Sequence, residues 1–329
     1  MAVLSFTDRG IYCPAGDFYI DPARPVPRAL LTHGHSDHAR RGHAAYLATE
    51  AAAPVLRLRL GRIALETIPY GETRQIGAAR VSFHPAGHVP GSAQIRVEVA
   101  GEVWVVSGDY KPEPDGVCEP FAPLRCHTFI SECTFGLPVF RWAPQAQVMA
   151  AINRWWAQNR DADKQSVIGV YALGKAQRIL AHLEPGTGPI LLQGAVAATT
   201  QVLRTQGLRF PATTDLPATP IETLPPGALL LTSSASPFAP GLAHPDRIAT
   251  AQASGWMALR TLRRSRGTGQ GFVLSDHADW PGLNQSIAAT GAEKIYVTHG
   301  YTEVFCRWLR DQGHDADVLA PPAPRQTPA

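Results

Sequence analysis

The sequence predicts an α/β protein in which a sheet-based domain is interrupted by an inserted α/β unit. Three observations lead there. Short Val- and Ile-rich runs bounded by Gly and Pro fill the first 133 residues. Helix-period apolar spacing takes over from Gln145, and strand-like runs return after Gly269. Strands, then helices, then strands is the pattern of a sheet domain split by an insertion. At 329 residues the chain is long enough for about two domains, each with its own core.

In order, Asp17-Phe18-Tyr19-Ile20 runs as β-structure into a turn at Asp21-Pro22. Arg28 to Thr32 reads as a buried strand that ends in a histidine cluster. Arg80 to His84, Ala93 to Val99 and Glu102 to Ser107 read as strands, with Gly101 between the last two making a hairpin. Phe129 to Ser131 is a further strand just before Glu132. Helices are expected over Gln145 to Gln158, with Pro144 at its start and apolar side chains at Val148, Ile152, Trp155 and Trp156, and over Lys175 to Leu183 and Thr199 to Gln206. Residues 211–227 read as a connector. Val273-Leu274 and Ile295 to Thr298 then frame a helix near Leu283 to Ala289. The expected boundaries are 1–136 and 269–320 for the split domain, 137–268 for the insertion, and a disordered, proline-dense tail over 321–329.

Composition excludes several classes. With 29 glycines and 29 prolines against 45% hydrophobic residues, the chain is loop-rich but neither disordered nor collagen-like. It has no apolar run of membrane-spanning length and no export signal. Five cysteines without metal-ligand spacing suit reduced thiols, so a cytoplasmic location is expected. A net charge of +3 neither requires nor excludes a nucleic-acid partner.

The chemistry concentrates in Thr32-His33-Gly34-His35-Ser36-Asp37-His38. Three of the chain's 12 histidines and a carboxylate fall directly after a strand. Neutral imidazole and carboxylate are ligands for zinc, manganese or iron. Alternation along an extended loop points His33 and His35 the same way, with Asp37 and His38 reaching a neighbouring position. One ion cannot easily use them all; two can. His88, Asp109 and His299 each follow an apolar strand. Each alone reads as a structural or turn residue, but their shared placement brings them to one sheet edge.

This ordered set, from Asp21 to His299, resembles the metallo-β-lactamase fold. The resemblance implies an αββα sandwich with two divalent metal ions, zinc or manganese. His33, His35 and His88 would hold one ion, Asp37, His38 and His299 the second, and Asp109 would bridge them. Asp21 would sit behind them and orient a ligand imidazole. Such a pair, about 3.5–4 Å apart, suits phosphodiester hydrolysis.

Three further stretches resemble the β-CASP nucleases: Ile130-Ser131-Glu132-Cys133-Thr134-Phe135-Gly136, then Gly174-Lys175-Ala176-Gln177-Arg178, then Ser275-Asp276-His277-Ala278-Asp279. They imply that the insertion is a short β-CASP α/β domain. They also imply that His277, held by Glu132, contacts the scissile phosphate and donates a proton. Phe18-Tyr19-Ile20-Asp21-Pro22, Ser254-Gly255-Trp256-Met257 and Leu274 to Trp280 resemble one bacterial branch, the DNA-ligase-associated exonucleases. That implies a metal-dependent DNA exonuclease acting in repair with a DNA ligase, on single-stranded or end-containing DNA, away from membranes. A β-CASP ribonuclease shares every catalytic motif. A glyoxalase-type hydrolase would have no use for Glu132 and His277, and a scaffold that binds without cutting would not need the full ligand set.

Lys175 and Arg178, on one helical face, and the run Arg260, Arg263, Arg264 and Arg266 are candidates for phosphate contacts. The arginine run reads equally as a solvated helix end. Trp155 and Trp156 read as core before base-stacking, Tyr110 and Lys111 as candidate substrate contacts, and Arg40, Arg41 and His43 as a solvated helix face.

Overall fold

The computed structural model describes residues 2–216, 224–233, 247–259 and 269–320. The chain divides into two units: Met1–Pro114, Glu119–Pro138 and His277–Ala329 form the first, and Asp115–Cys118 and Val139–Asp276 the second.

The first unit opens with a six-stranded sheet in sequence order: β1 (Ser5–Thr7), β2 (Gly10–Cys13), β3 (Phe18–Ile20), β4 (Arg28–Leu30), β5 (Ala45–Thr49) and β6 (Leu65–Ile68). The helix α1 (Ala53–Leu60), with Pro54 in its first turn, lies between β5 and β6. A second sheet begins with β7 (Thr73–Ile76), β8 (Ala79–Pro85), β9 (Ala93–Val99), β10 (Glu102–Val106) and β11 (Thr128–Cys133). The expected hairpin is present: β9 and β10 are antiparallel, and Ala100 and Gly101 both take positive φ in the two-residue turn.

The second unit contains α2 (Gln145–Asp161), β12 (Gln165–Gly169), α3 (Lys175–Ala181), β13 (Ile190–Gln193), α4 (Ala195–Thr205), β14 (Thr214–Leu216), β15 (Leu229–Thr232), β16 (Ile248–Ala253) and β17 (Gln270–Phe272). Its strands form one all-parallel sheet in the order β14-β13-β15-β12-β16-β17. Both faces are buried, as parallel sheets require. Ile168, Leu192, Leu229 and Leu231 pack with Ile152, Trp156, Ile179 and Val196, while Val167, Leu191 and Leu230 point the other way.

Back in the first unit, α5 (Trp280–Thr290), β18 (Lys294–Gly300), α6 (Thr302–Asp311) and β19 (Asp315–Val318) complete the second sheet, in the order β19-β18-β11-β10-β9-β8-β7. Strand alternation makes the layers. Trp104, Val106, Ile130, Val81 and Phe83 turn inward to meet Phe18, Ile20, Leu30 and Leu47 of the first sheet. Val103, Val105, Phe129 and Val297 turn outward against Leu283, Ile287, Phe305 and Leu309 of α5 and α6. Ala29, Tyr46 and Ala48 turn outward against Leu56 and Leu60 of α1. The result is helix, sheet, sheet, helix: the αββα sandwich.

Several expectations need correction. The second unit runs to Asp276 rather than 268, because β17 pairs with β16 and ties that stretch to the parallel sheet. The strand expected at Val273-Leu274 lies a few residues earlier. Residues 211–227 contain β14, a short edge strand. The stretch with Arg40, Arg41 and His43 is not helical, and His43 is buried, its Nδ1 accepting from Val26 N at 3.3 Å. Trp156 is core, with Trp155 packed against it. The tail over 321–329 lies outside the described residues.

Candidate metal centre

Most residues of the histidine cluster sit in loops that follow strands of the first unit, and His299 sits at a bulge inside β18. Asp21 follows β3 with φ +43°, unusual for a residue with a Cβ. Its carboxylate accepts from Thr32 N at 2.8 Å and Thr32 Oγ1 at 2.5 Å, fastening the loop after β4, and meets His38 Nδ1 at 2.8 Å. His38 therefore presents its Nε2 to the centre. Thr32 is a residue the sequence reading passed over, and it also explains Gly108: a Cβ there would stand 2.7 Å from Thr32 Cβ.

Asp109, delivered by β10, is the hub. Its Oδ2 lies 3.5 Å from His33 Nε2, 3.4 Å from His38 Nε2 and 3.7 Å from His88 Nε2, and its Oδ1 lies 3.6 Å from His299 Nδ1. His88 Nε2 is 3.0 Å from His35 Nδ1. His299 reaches the group through a β-bulge. Glu132 pairs with Thr298 and Cys133 with Gly300, which leaves His299 as the extra residue, at φ +55°. Asp37 stands at the rim, largely exposed, with Oδ2 3.6 Å from His38 Nε2.

These donors fit a metal. Among the described residues, His33, His35, His88 and Asp109 bring one ligand atom each within 4.8 Å of one another, as do His38, Asp109 and His299, and also Asp109, Glu132 and His277, so Asp109 belongs to all three groups. Among the described residues, His33 Nε2, His38 Nε2 and Asp109 Oδ1 are buried with no hydrogen-bond partner. Each such atom costs about 1–3 kcal/mol unless something fills its valence, and a shared cation does so. Burial, with His38 and His88 nearby, holds the His33 pKa well below the usual histidine value, so the ring is in its neutral, ligating form. Burial opposes charge on His38 too, but Asp109 and Asp21 outweigh it and raise its pKa well above that value. Replacing Asp21 by asparagine removes the carboxylate behind His38, and metal affinity should fall about 10–100-fold. Titration against a chelating dye checks this.

Beside this cluster stands a second constellation. Glu132, buried in β11, holds His277 Nδ1 at 2.8 and 3.0 Å and accepts from Tyr110 N and Thr134 N. The His277 and His88 rings are 4.7 Å apart. Of the candidate substrate contacts, Tyr110 is buried with its hydroxyl on Ser131, and Lys111 is paired with Glu113.

Lys175 and Arg178, expected as phosphate contacts, are found paired with carboxylates. Within the second unit both are buried, Lys175 Nζ 3.0 Å from Asp276 and Arg178 3.0 Å from Asp115 and 3.2 Å from Asp276. Arg178 Nη1 also donates to Ser275 O at 2.5 Å. Their charges are consumed by carboxylates that the sequence reading did not single out as partners. Arg178→Ala should therefore act on stability, costing about 3–5 kcal/mol as buried Asp115 loses its cation and Asp276 keeps only Lys175. Urea unfolding measures it. Arg260, Arg263, Arg264 and Arg266 lie outside the described residues.

No family model matches the chain. It is 30% identical over 312 residues to a probable DNA ligase of Opitutus terrae, covering 93% of this chain and 30% of that protein. It is 31% identical over 123 residues to endoribonuclease ysh1 of Emericella nidulans (36% of this chain, 14% of that protein) and 28% identical over 125 residues to cleavage and polyadenylation specificity factor 73 of Drosophila melanogaster (36% and 18%). The chain thus spans less than a third of the length of each of these relatives. A solved structure of a protein of unknown function from Enterococcus faecalis shares the fold, with a TM-score of 0.59 at 12% identity over 84% of this chain and 76% of that one.

Proposed function

The chain is a relative of the β-CASP metallo-β-lactamases, and from that footing we propose that it is a metal-dependent DNA exonuclease that hydrolyses phosphodiester bonds in repair, working with a DNA ligase. One observation carries the hydrolytic reading. Among the described residues, buried ligand atoms without hydrogen-bond partners converge on Asp109, and a Glu132–His277 pair stands beside them.

In this reading His33, His35 and His88 would hold one divalent ion, Asp37, His38 and His299 a second, and Asp109 would serve both. Asp37 is the outlying member, at the exposed rim. When bound, the ions supply Lewis acidity, lowering the pKa of water and neutralising phosphoryl charge. The protein's own groups do the rest. Asp21 fixes the His38 ring, so its Nε2 stays aimed at the centre. Glu132 takes up His277 Nδ1, which leaves Nε2 to give a proton to the departing oxygen, and its negative charge favours the imidazolium that does so. Because the Glu132 carboxylate also accepts two backbone N–H groups, it is held in place for that task.

DNA is favoured over RNA by the extent of similarity: the ligase relative matches along nearly the whole chain, while the RNA-named relatives match about a third of it. The alternative, a β-CASP ribonuclease, is supported by those latter matches and shares every proposed catalytic group. End-labelled DNA and RNA of one sequence, incubated with zinc and manganese separately, decide between them. We expect mononucleotide or short products from a DNA end at the earliest times, with slower loss of RNA. Internal cuts from the start, or faster RNA loss, overturn the exonuclease reading.

A further inference from the structure

We propose that the cavity beside His38 and His299 binds one nucleobase of the substrate strand, that of the nucleotide which keeps the scissile phosphate after hydrolysis. The proposal rests on the nuclease reading of the adjoining centre. The cavity lies wholly in the first unit, where the core between the two sheets opens at its edge. Its volume is about 170 Å³, against the roughly 10–15 Å³ that one water needs on a comparable measure. There is room for a ring system.

The lining divides by chemistry. Ile20, Val106 and Ile130 are buried core residues that form its floor, while Phe6, Ile11 and Leu319 are partly buried and form its walls. Asp37, His38 and His299 stand at its rim and belong to the proposed metal centre. A flat apolar ring with a phosphate tethered to it is what such a surface fits: apolar walls for the ring, a cationic centre at the rim for the phosphate. Thr7 Oγ1 already donates to Gly10 O, and of the two lining carboxylates Asp37 stands at the rim while Asp21 is taken up by Thr32 and His38. Recognition is therefore by contact with the ring face, tolerant of sequence and stronger for purines, which have more area.

The side is set by His277. Neither His277 nor Glu132 nor His88 lines the cavity, which meets the centre through His38 and His299. In hydrolysis the water oxygen bonds to phosphorus and gives up one proton to solvent, the bond from phosphorus to the leaving oxygen breaks, and that oxygen takes its proton from His277, which solvent then reprotonates. The leaving nucleotide thus departs on the His277 side. The other nucleotide, still carrying the phosphate, extends toward the cavity.

The test uses oligonucleotides with one abasic residue stepped across the cleavage position. For the parent chain, KM should rise by about 5–150-fold, the range expected for losing one base contact, when the abasic residue is the one that retains the phosphate. In Phe6→Ala that difference should vanish. Because Phe6 also meets Tyr296 edge-on at 4.8 Å, a second variant, Thr7→Trp, fills the cavity from its partly exposed rim without removing core. A readout independent of turnover is 2-aminopurine at the same position, bound to metal-stripped protein. Its fluorescence should be quenched by the parent and not by Thr7→Trp. An abasic penalty equal in parent and both variants, a penalty at the leaving nucleotide, or no quenching by the parent overturns the proposal. A parent chain that quenches 2-aminopurine yet cuts neither DNA nor RNA overturns the nuclease reading and supports the base site. One that cuts strands without any abasic penalty overturns the base site alone.

Discussion

Replacing Asp109 by alanine is expected to lower phosphodiester hydrolysis by more than about 10³-fold, the scale seen when preorganised charge stabilisation is lost. Metal content should fall with it. The reason lies in the geometry: Asp109 is the one side chain shared by all three groups of candidate ligands, and four histidines approach its two oxygens at 3.4–3.7 Å. Alanine also leaves four imidazoles crowded together with no central negative charge. Single replacements of His33 or His35 should be milder in metal content, since each touches one group only, yet both should abolish turnover. Elemental analysis beside a hydrolysis assay separates these outcomes. Full metal occupancy in Asp109→Ala would show that the hub has been misassigned.

His277→Ala should behave differently, keeping its metal while turnover falls by about 10²–10⁴, as expected for loss of a general acid. His277 is tied to Glu132 by two contacts and shares a third group of close ligand atoms with Glu132 and Asp109, but it belongs to neither histidine group around Asp109, so its removal leaves both of those in place. The decisive substrate carries a sulfur leaving group, which departs without needing a proton. On it the defect should shrink strongly. An equal defect on both substrates would remove the acid role, and metal loss from this variant would make His277 a ligand. Glu132→Gln should mimic His277→Ala in part, because the amide keeps the hydrogen bond and loses the charge.

Local features were legible in the sequence and long-range ones were not. The His33 to His38 cluster announces itself because its donors are neighbours in the chain, and β10 could be read up to Asp109 because its alternation ends there. His299 was found as a residue after a strand, but what aims it is a bulge between β11 and β18, which only pairing reveals. The hint was Gly300: its φ of +86° and the 2.4 Å from its would-be Cβ to Thr134 Cα admit no side chain. The partners of Lys175 and Arg178 were hidden for a related reason. A basic pair on a helix looks like a phosphate clamp until Asp115, some 60 residues earlier, and Asp276, some 100 later, arrive as partners. The apolar cavity left no trace at all, since its floor and walls come from β1, β2, β3, β10, β11 and the residue after β19. Helix α1 escaped notice because its apolar residues show no clean one-sided spacing, whereas α5 carried both its signals, Asp279 as the cap accepting from Gly282 N and Gly291 in the left-handed conformation at its end.

Central to the account is a two-ion centre organised around Asp109. Anomalous diffraction from crystals grown with manganese, with a parallel set in zinc, tests it most directly. Two peaks per chain are predicted, about 3.5–4 Å apart, one contacting His33, His35 and His88, the other His38 and His299, and both contacting Asp109. A single peak, or ions bound with Asp109 turned away, would contradict it.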